Sequence, residues 1–259
     1  MKQYTILSYV DGNNSIGLGH AFRQFNLGKE LKKEHFKIFY RTHDKIVKDI
    51  LSSISNCQYI KKNLSLEKKF IDEINPDLII IDKLEEKKTF LKMLNKTRKK
   101  ILAIDYIGLN KNLIENGINI LYPKSGIKKA LTGFDFAILN KQFKKTKRKL
   151  IKKNVDSILI LQGGADTYCL LPKIITNLND IDKKFKITVV VGHSFDCWDS
   201  LNKSVKNSPH KIQIKKNVID MSTLMNKHDL AISAAGMTLL ELAFLGIPTV
   251  IVCAEKFEE

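Results

Sequence analysis

Cysteine is scarce and scattered in this chain of 259 residues: Cys57, Cys169, Cys197 and Cys253 lie far apart, and no Cys-x-x-Cys pair occurs. Neither a disulfide framework nor a thiolate zinc site is expected, and a reducing, cytoplasmic setting is the simple reading. Long apolar runs are missing too. Nothing approaches the roughly 20 residues that span a bilayer. The opening MKQYTILSYVDG turns polar too early for a secretory signal. Internal repeats and low-complexity tracts are absent. Arginine is rare, with only Arg23, Arg41, Arg98 and Arg148 among 44 basic residues. The formal charge of +17 raises the question of nucleic acid. Arginine, however, is the side chain that forks onto phosphate and reads guanine edges. Aromatic-rich stacking motifs are missing as well. The charge is therefore expected on solvated surface, with no RNA partner and no membrane insertion, leaving a weak attraction for anionic ligands.

What is present is alternation. Short apolar runs at residues 4–10, 36–40, 78–81, 100–104, 118–121, 157–161, 187–191, 212–215, 230–233 and 249–252 read as strands. Amphipathic stretches at 22–33, 45–53 and 237–245 read as helices. Runs such as LIII and ITVVV lack polar alternation, which places them in strands covered on both faces. The pattern is that of an α/β protein with mainly parallel sheets. The basic run NKQFKKTKRKLIKKN at 140–154 interrupts it and precedes a fresh strand. It reads as a linker, giving a first Rossmann-like domain at 1–145 and a second at 146–259.

Ligands of open α/β sheets bind beyond the carboxyl ends of the strands, so the turns after the strands carry the chemistry. The first is Gly17-Leu18-Gly19-His20. It lacks the third glycine of a dinucleotide fingerprint, and the strand ending FYRTHD offers no acid at its tip for a ribose. His20 is open between a helix-capping or packing role and that of a base. The second turn is Gly163-Gly164-Ala165-Asp166, with a helix expected to run on through Thr167. Its glycines allow close approach to phosphate or sugar, and Asp166 suits a helix cap. In the third, Ala234-Ala235-Gly236 leads into a helix at Met237 and Thr238, whose N-terminus favours a phosphate. Glu241 follows one turn later among Leu239, Leu240, Leu242 and Ala243, within reach of ribose hydroxyls.

The stretch DMSTLMNKHDLAISAAGMTLLELAFLGIPTVIV resembles the nucleotide-binding half of two-domain GT-B enzymes that handle UDP-sugars. IGLGHAFRQFNLGKEL, LIIIDK, GFDFAILNKQF and LQGGAD narrow the resemblance. Together they are similar to the UDP-sugar hydrolases of pseudaminic acid biosynthesis and the related spore-coat polysaccharide proteins (PseG/SpsG-like). The resemblance implies two Rossmann-like domains facing across a cleft. It implies hydrolysis of UDP-2,4-diacetamido-2,4,6-trideoxy-β-L-altropyranose, or a related nucleotide sugar, to UDP and free sugar, with no metal or other cofactor. It assigns the general base to His20 and a supporting carboxylate to Asp82. Substrate contacts fall on Gly17, Gly19, Asn140 and Glu241, and nucleotide contacts on Gly163, Gly164, Asp166, Gly192, Gly236, Met237 and Thr238.

The chain departs from that family in three places. Lys83 and Leu84 stand where a histidine is common, and Asn140-Lys141 stands where an arginine is. The closing CAEKFEE replaces an Asn-Gln pair, so that either Glu255 or Lys256 takes over from the amide or the second domain is cut short. Two other readings remain: a GT-B transferase in which His20 deprotonates an acceptor hydroxyl, and a non-catalytic nucleotide-sugar-binding subunit.

Overall fold

The computed structural model describes residues 3–13, 17–61, 63–123, 126–148, 150–192 and 194–254. Glu255 and Lys256 lie outside the described residues. The chain forms two compact units, residues 1–138 and 139–259.

The first unit alternates strands and helices: β1 (Thr5–Val10), α1 (Gly19–Lys33), β2 (Lys37–Thr42), α2 (Lys45–Ser52), β3 (Asn56–Tyr59), α3 (Leu64–Ile74), β4 (Leu78–Asp82), α4 (Lys88–Lys96), β5 (Lys100–Ile104), β6 (Asn116–Asn119) and β7 (Lys129–Thr132). Local chemistry sets several boundaries. The Asp44 carboxylate accepts from the Ile46 and Val47 N–H groups to start α2, and Asn63 does the same for Ser65 and Leu66 at α3. The strands form one parallel sheet in the order β3-β2-β1-β4-β5-β6-β7. Leu7, Tyr9, Ile79, Ile81, Ile101 and Ala103 pack one face of its centre against Ile71 of α3 and Phe90, Leu91 and Leu94 of α4.

The second unit comprises α5 (Lys141–Lys145), β8 (Ser157–Leu161), α6 (Leu170–Leu178), β9 (Lys186–Val191), α7 (Trp198–Lys206), β10 (Lys211–Lys216), α8 (Met221–Asn226), β11 (Leu230–Ser233), α9 (Met237–Leu245) and β12 (Thr249–Ile251). Its parallel sheet runs β10-β9-β8-β11-β12. The period of two along β8 divides the core: Ile158 and Ile160 meet α6 and α7, whereas Leu159 and Leu161 meet α8 and α9. Gly246, in the left-handed region at φ 71°, ends α9.

The structure differs from the sequence reading at several points. The basic run at 140–154 is not wholly a linker. It contains α5, whose Phe143 is fully buried in the second core, so the division falls at 138/139 rather than at 145/146. Strands β3 and β7 were not expected, being four-residue edge strands of largely polar sequence. The helix expected through Thr167 begins only at Leu170. Asp166 and Cys169 both adopt left-handed backbone, which a continuous helix cannot pass through. Cys169 and Cys197 are also joined as a disulfide, contrary to the expectation of none. They lie 28 residues apart in sequence, and the pairing arises because the residues just before α6 and α7 meet, with Cα atoms 5.9 Å apart. Among the described residues no helix is long and apolar enough to cross a membrane.

Candidate functional site

Both sheets reverse their winding at one point, between β1 and β4 in the first unit and between β8 and β11 in the second. Crevices for ligands form at such points. The sequence turns singled out above lie at the carboxyl ends of these same strands.

In the first unit β4 ends on Asp82, which is paired in register with Val10 at the end of β1. The chain then turns through Gly17, whose φ of 78° suits glycine, and enters α1 at Gly19. His20, in the first turn of that helix, places Nδ1 2.6 Å from Asp82 Oδ1. Asp82 is fully buried, and His20 keeps 12% of its side chain exposed. An unprotonated Nδ1 at that separation would set two lone pairs against each other. The proton therefore sits on Nδ1, donated to the carboxylate, which in the neutral imidazole leaves the lone pair on Nε2.

Asp82 accepts three further hydrogen bonds, from two residues. Arg23 grips it with two bonds, Nε to Oδ2 at 3.1 Å and Nη2 to Oδ1 at 2.5 Å. The Gln24 amide donates to Oδ2 at 2.8 Å, and Ser8 donates to Gln24 Oε1 at 3.0 Å. Burial alone would raise the Asp82 pKa; the Arg23 charge and the His20 contact reverse this and hold it well below the usual carboxylate range. Arg23, itself 2% exposed, also pairs with Asp105. Asp105 follows β5 in left-handed backbone, and its other oxygen accepts from the Ile120 and Leu121 N–H groups at 2.6 and 2.9 Å.

The second unit offers open space at its turns. An added Cβ at Gly163, Gly164 or Gly236 would meet none of the described residues beyond its chain neighbours within 4 Å. Gly192 is the opposite case: its Cβ would come within 2.1 Å of the Gly164 carbonyl oxygen, so the loops after β8 and β9 touch through backbone. Gly236 occupies the N-cap position of α9 and supplies no side-chain cap, with Met237 and Thr238 in the first turn. One turn later burial pushes the Glu241 carboxyl up to about 7. Asp166 uses both carboxylate oxygens on the Leu170 and Leu171 N–H groups, satisfying the start of α6, whose N-cap position is Cys169. Asn140 likewise caps α5 through Gln142 N. Gln162, at the tip of β8, buries both amide atoms without a protein partner among the described residues.

His20 and Asp82 are thus brought together, as are Gly164 and Gly192, while Asn140 and Asp166 serve helix starts. Ser8, Arg23, Gln24 and Asp105 were missed. The available signal was Arg23, three residues after His20 on α1 in a chain with few arginines. Among the described residues no group of three or more His, Cys, Asp or Glu side chains is placed to hold a metal ion.

Residues 133–259 match the glycosyltransferase family 28 C-terminal domain. The chain is 30% identical over 269 residues to an uncharacterised protein of Methanocaldococcus jannaschii, covering 96% of this chain and 55% of the relative. It therefore spans about half the length of that protein. It is 25% identical to the spore coat polysaccharide biosynthesis protein SpsG of Bacillus subtilis, over 94% of this chain and 75% of SpsG. Among solved structures, MurG of Acinetobacter baumannii aligns with a TM-score of 0.69 at 13% identity, covering 98% of this chain and 80% of MurG. A UDP complex of Staphylococcus aureus MnaA aligns at 0.62 and 12% identity, covering 96% and 79%. The fold is the α/β GT-B architecture of glycosyltransferases.

Proposed function

We propose that the protein hydrolyses a UDP-sugar of the UDP-2,4-diacetamido-2,4,6-trideoxy-altropyranose type, releasing UDP and free sugar for surface-glycan synthesis. The observation that carries this reading is the His20–Asp82 pair, a directed imidazole whose Nε2 can take a proton. Water attacks the anomeric carbon as His20 Nε2 accepts its proton. The new C–O bond forms, the bond from that carbon to the diphosphate oxygen breaks, and its electrons leave with UDP. Asp82 stays ionised and stabilises the imidazolium. A lone histidine base without a carboxylate nucleophile implies inversion at the anomeric carbon.

The nucleotide role falls to the second unit. The α9 N-terminus at Gly236, Met237 and Thr238 and the backbone around Gly163, Gly164 and Gly192 suit a diphosphate, and Glu241 suits the ribose hydroxyls. The likeness to SpsG, and the UDP carried by the MnaA structure, support this choice of nucleotide. The match to a glycosyltransferase domain favours a second reading, in which the same base deprotonates an acceptor hydroxyl. UDP release from a panel of UDP-sugars without acceptor separates the two. UDP and free sugar appearing together, and lost in His20→Ala, is the expected result. UDP binding with no release would replace hydrolysis by transfer or by a binding role.

A further inference from the structure

Beyond the dyad itself, we infer that Arg23, anchored by Asp105, is the positioning residue that sets the direction and the proton affinity of His20; this rests on the reading of His20 as the base. His20 and Arg23 compete for one carboxylate. Asp82 Oδ1 receives both His20 Nδ1 at 2.6 Å and Arg23 Nη2 at 2.5 Å. The guanidinium also lies 3.1 Å from Nδ1. A buried Asp82 facing His20 alone would stabilise the imidazolium strongly and make the base too reluctant to release its proton. A permanent positive charge beside both groups opposes that. The charged groups at the imidazole are Asp82 from β4 and Arg23 from its own helix, with Asp105 from the turn after β5 standing behind Arg23.

The anchor gives the charge a fixed place. Arginine is long and flexible, but here both ends of its fork are committed, to Asp82 on one strand and Asp105 beyond the next. Asp105 is in turn immobilised by two backbone N–H groups. The guanidinium cannot swing away, and a lysine cannot reproduce its planar two-sided grip. The Arg23 fork keeps Oδ1 of Asp82 aimed at Nδ1, so that Nε2 is directed outward.

The test compares the full-length protein with Arg23→Gln/Asp105→Asn, which removes the arm as a neutral pair, and with Arg23→Lys, which keeps the charge but not the fork. Two readouts are taken: the pH profile of kcat/KM for UDP release, and the NMR titration of the His20 C2–H signal. In the double variant His20 should take up its proton about one pH unit higher, a tenfold change in protonation, by both readouts. In Arg23→Lys the titration should stay in place while kcat falls about tenfold. A double-variant titration superimposable on wild type, with only the melting temperature lowered, would reduce Arg23 to a packing role and overturn the inference. Should the double variant fail to fold, wild-type turnover in Arg23→Lys overturns it instead. A moved NMR titration in a protein that releases no UDP would sink the hydrolase reading and leave the Arg23 role standing.

Discussion

The two units put their candidate functional residues at the same place in the same kind of sheet, yet build them from different material. In the first unit the site is a set of side chains, Ser8, His20, Arg23, Gln24, Asp82 and Asp105, bonded to one another. In the second it is backbone around Gly163, Gly164 and Gly236, where no described residue crowds the Cβ positions. The contrast fits the two tasks proposed for them. Proton transfer needs one atom aimed and its charge tuned, which only surrounding side chains can do. A nucleotide diphosphate needs many N–H donors and room for close approach, which side chains would obstruct.

The sharpest way to break that division is His20→Ala. Turnover should fall by about 10³-fold, within the range for loss of a general base, while UDP affinity measured by calorimetry stays at its wild-type value. A matching loss of UDP affinity would merge the two sites into one. Gly192→Ala attacks the other side. Its methyl group meets the Gly164 carbonyl, backbone against backbone, so one loop must move. UDP affinity should drop at least about tenfold, with a lower melting temperature for the second unit and an unchanged His20 titration. Wild-type UDP binding in this variant would show that the loops after β8 and β9 do not hold nucleotide.

The disulfide sharpens the comparison because it belongs to the second unit alone. Cys169 and Cys197 lie just ahead of α6 and α7, next to the two touching loops, and close a 28-residue separation. Loop-closure entropy puts the stabilisation at about 3.6 kcal/mol. Reduction, or Cys169→Ser, should lower the thermal transition of the second unit while leaving that of the first in place. An unchanged transition after reduction would mean that the pair does not form a bond in solution.

The strands were largely legible because parallel strands covered on both faces carry unbroken apolar runs, as in LIIID and ITVVV, whereas the GT-B reading came from the resemblance of the motifs. Edge strands β3 and β7 carried no such signal, since an edge strand needs little apolar sequence. At the site, the Gly-x-Gly-His turn and the aspartate closing β4 could each be found locally. Their company could not. Arg23 meets Asp105 across 82 positions and Asp82 across 59, and no local period encodes such a distance. Composition pointed away from it as well: basic residues were assigned to solvent, yet Arg23 and Arg41 are buried, Arg41 against Glu67. Asp166 and Asn140, conspicuous in sequence, each bond N–H groups at a helix start, the role sequence already offered for Asp166.

Glu241 is the exception within the second unit, a side chain among glycines, and it gives the smallest and most specific test. Burial raises its carboxyl to about 7, whereas in the unfolded chain it titrates near the ordinary 4.5. The native state thus binds the proton more tightly. The stability contributed by this group is greatest at low pH, declines as pH rises from about 4.5 to 7, and is constant above that, where both states are ionised. After discounting for solvent screening the loss is about 2 kcal/mol. Glu241→Gln should remove it, leaving the second unit more stable than wild type at pH 8 and equal to it at pH 4. Nucleotide binding should run the other way. Ribose hydroxyls donate best to the ionised carboxylate, so wild-type UDP affinity should rise between pH 6 and 8, and the glutamine variant should lose that rise. If Glu241→Gln gains stability but keeps the pH dependence of UDP binding, the carboxylate is a cost of packing α9 and the ribose is held by another group.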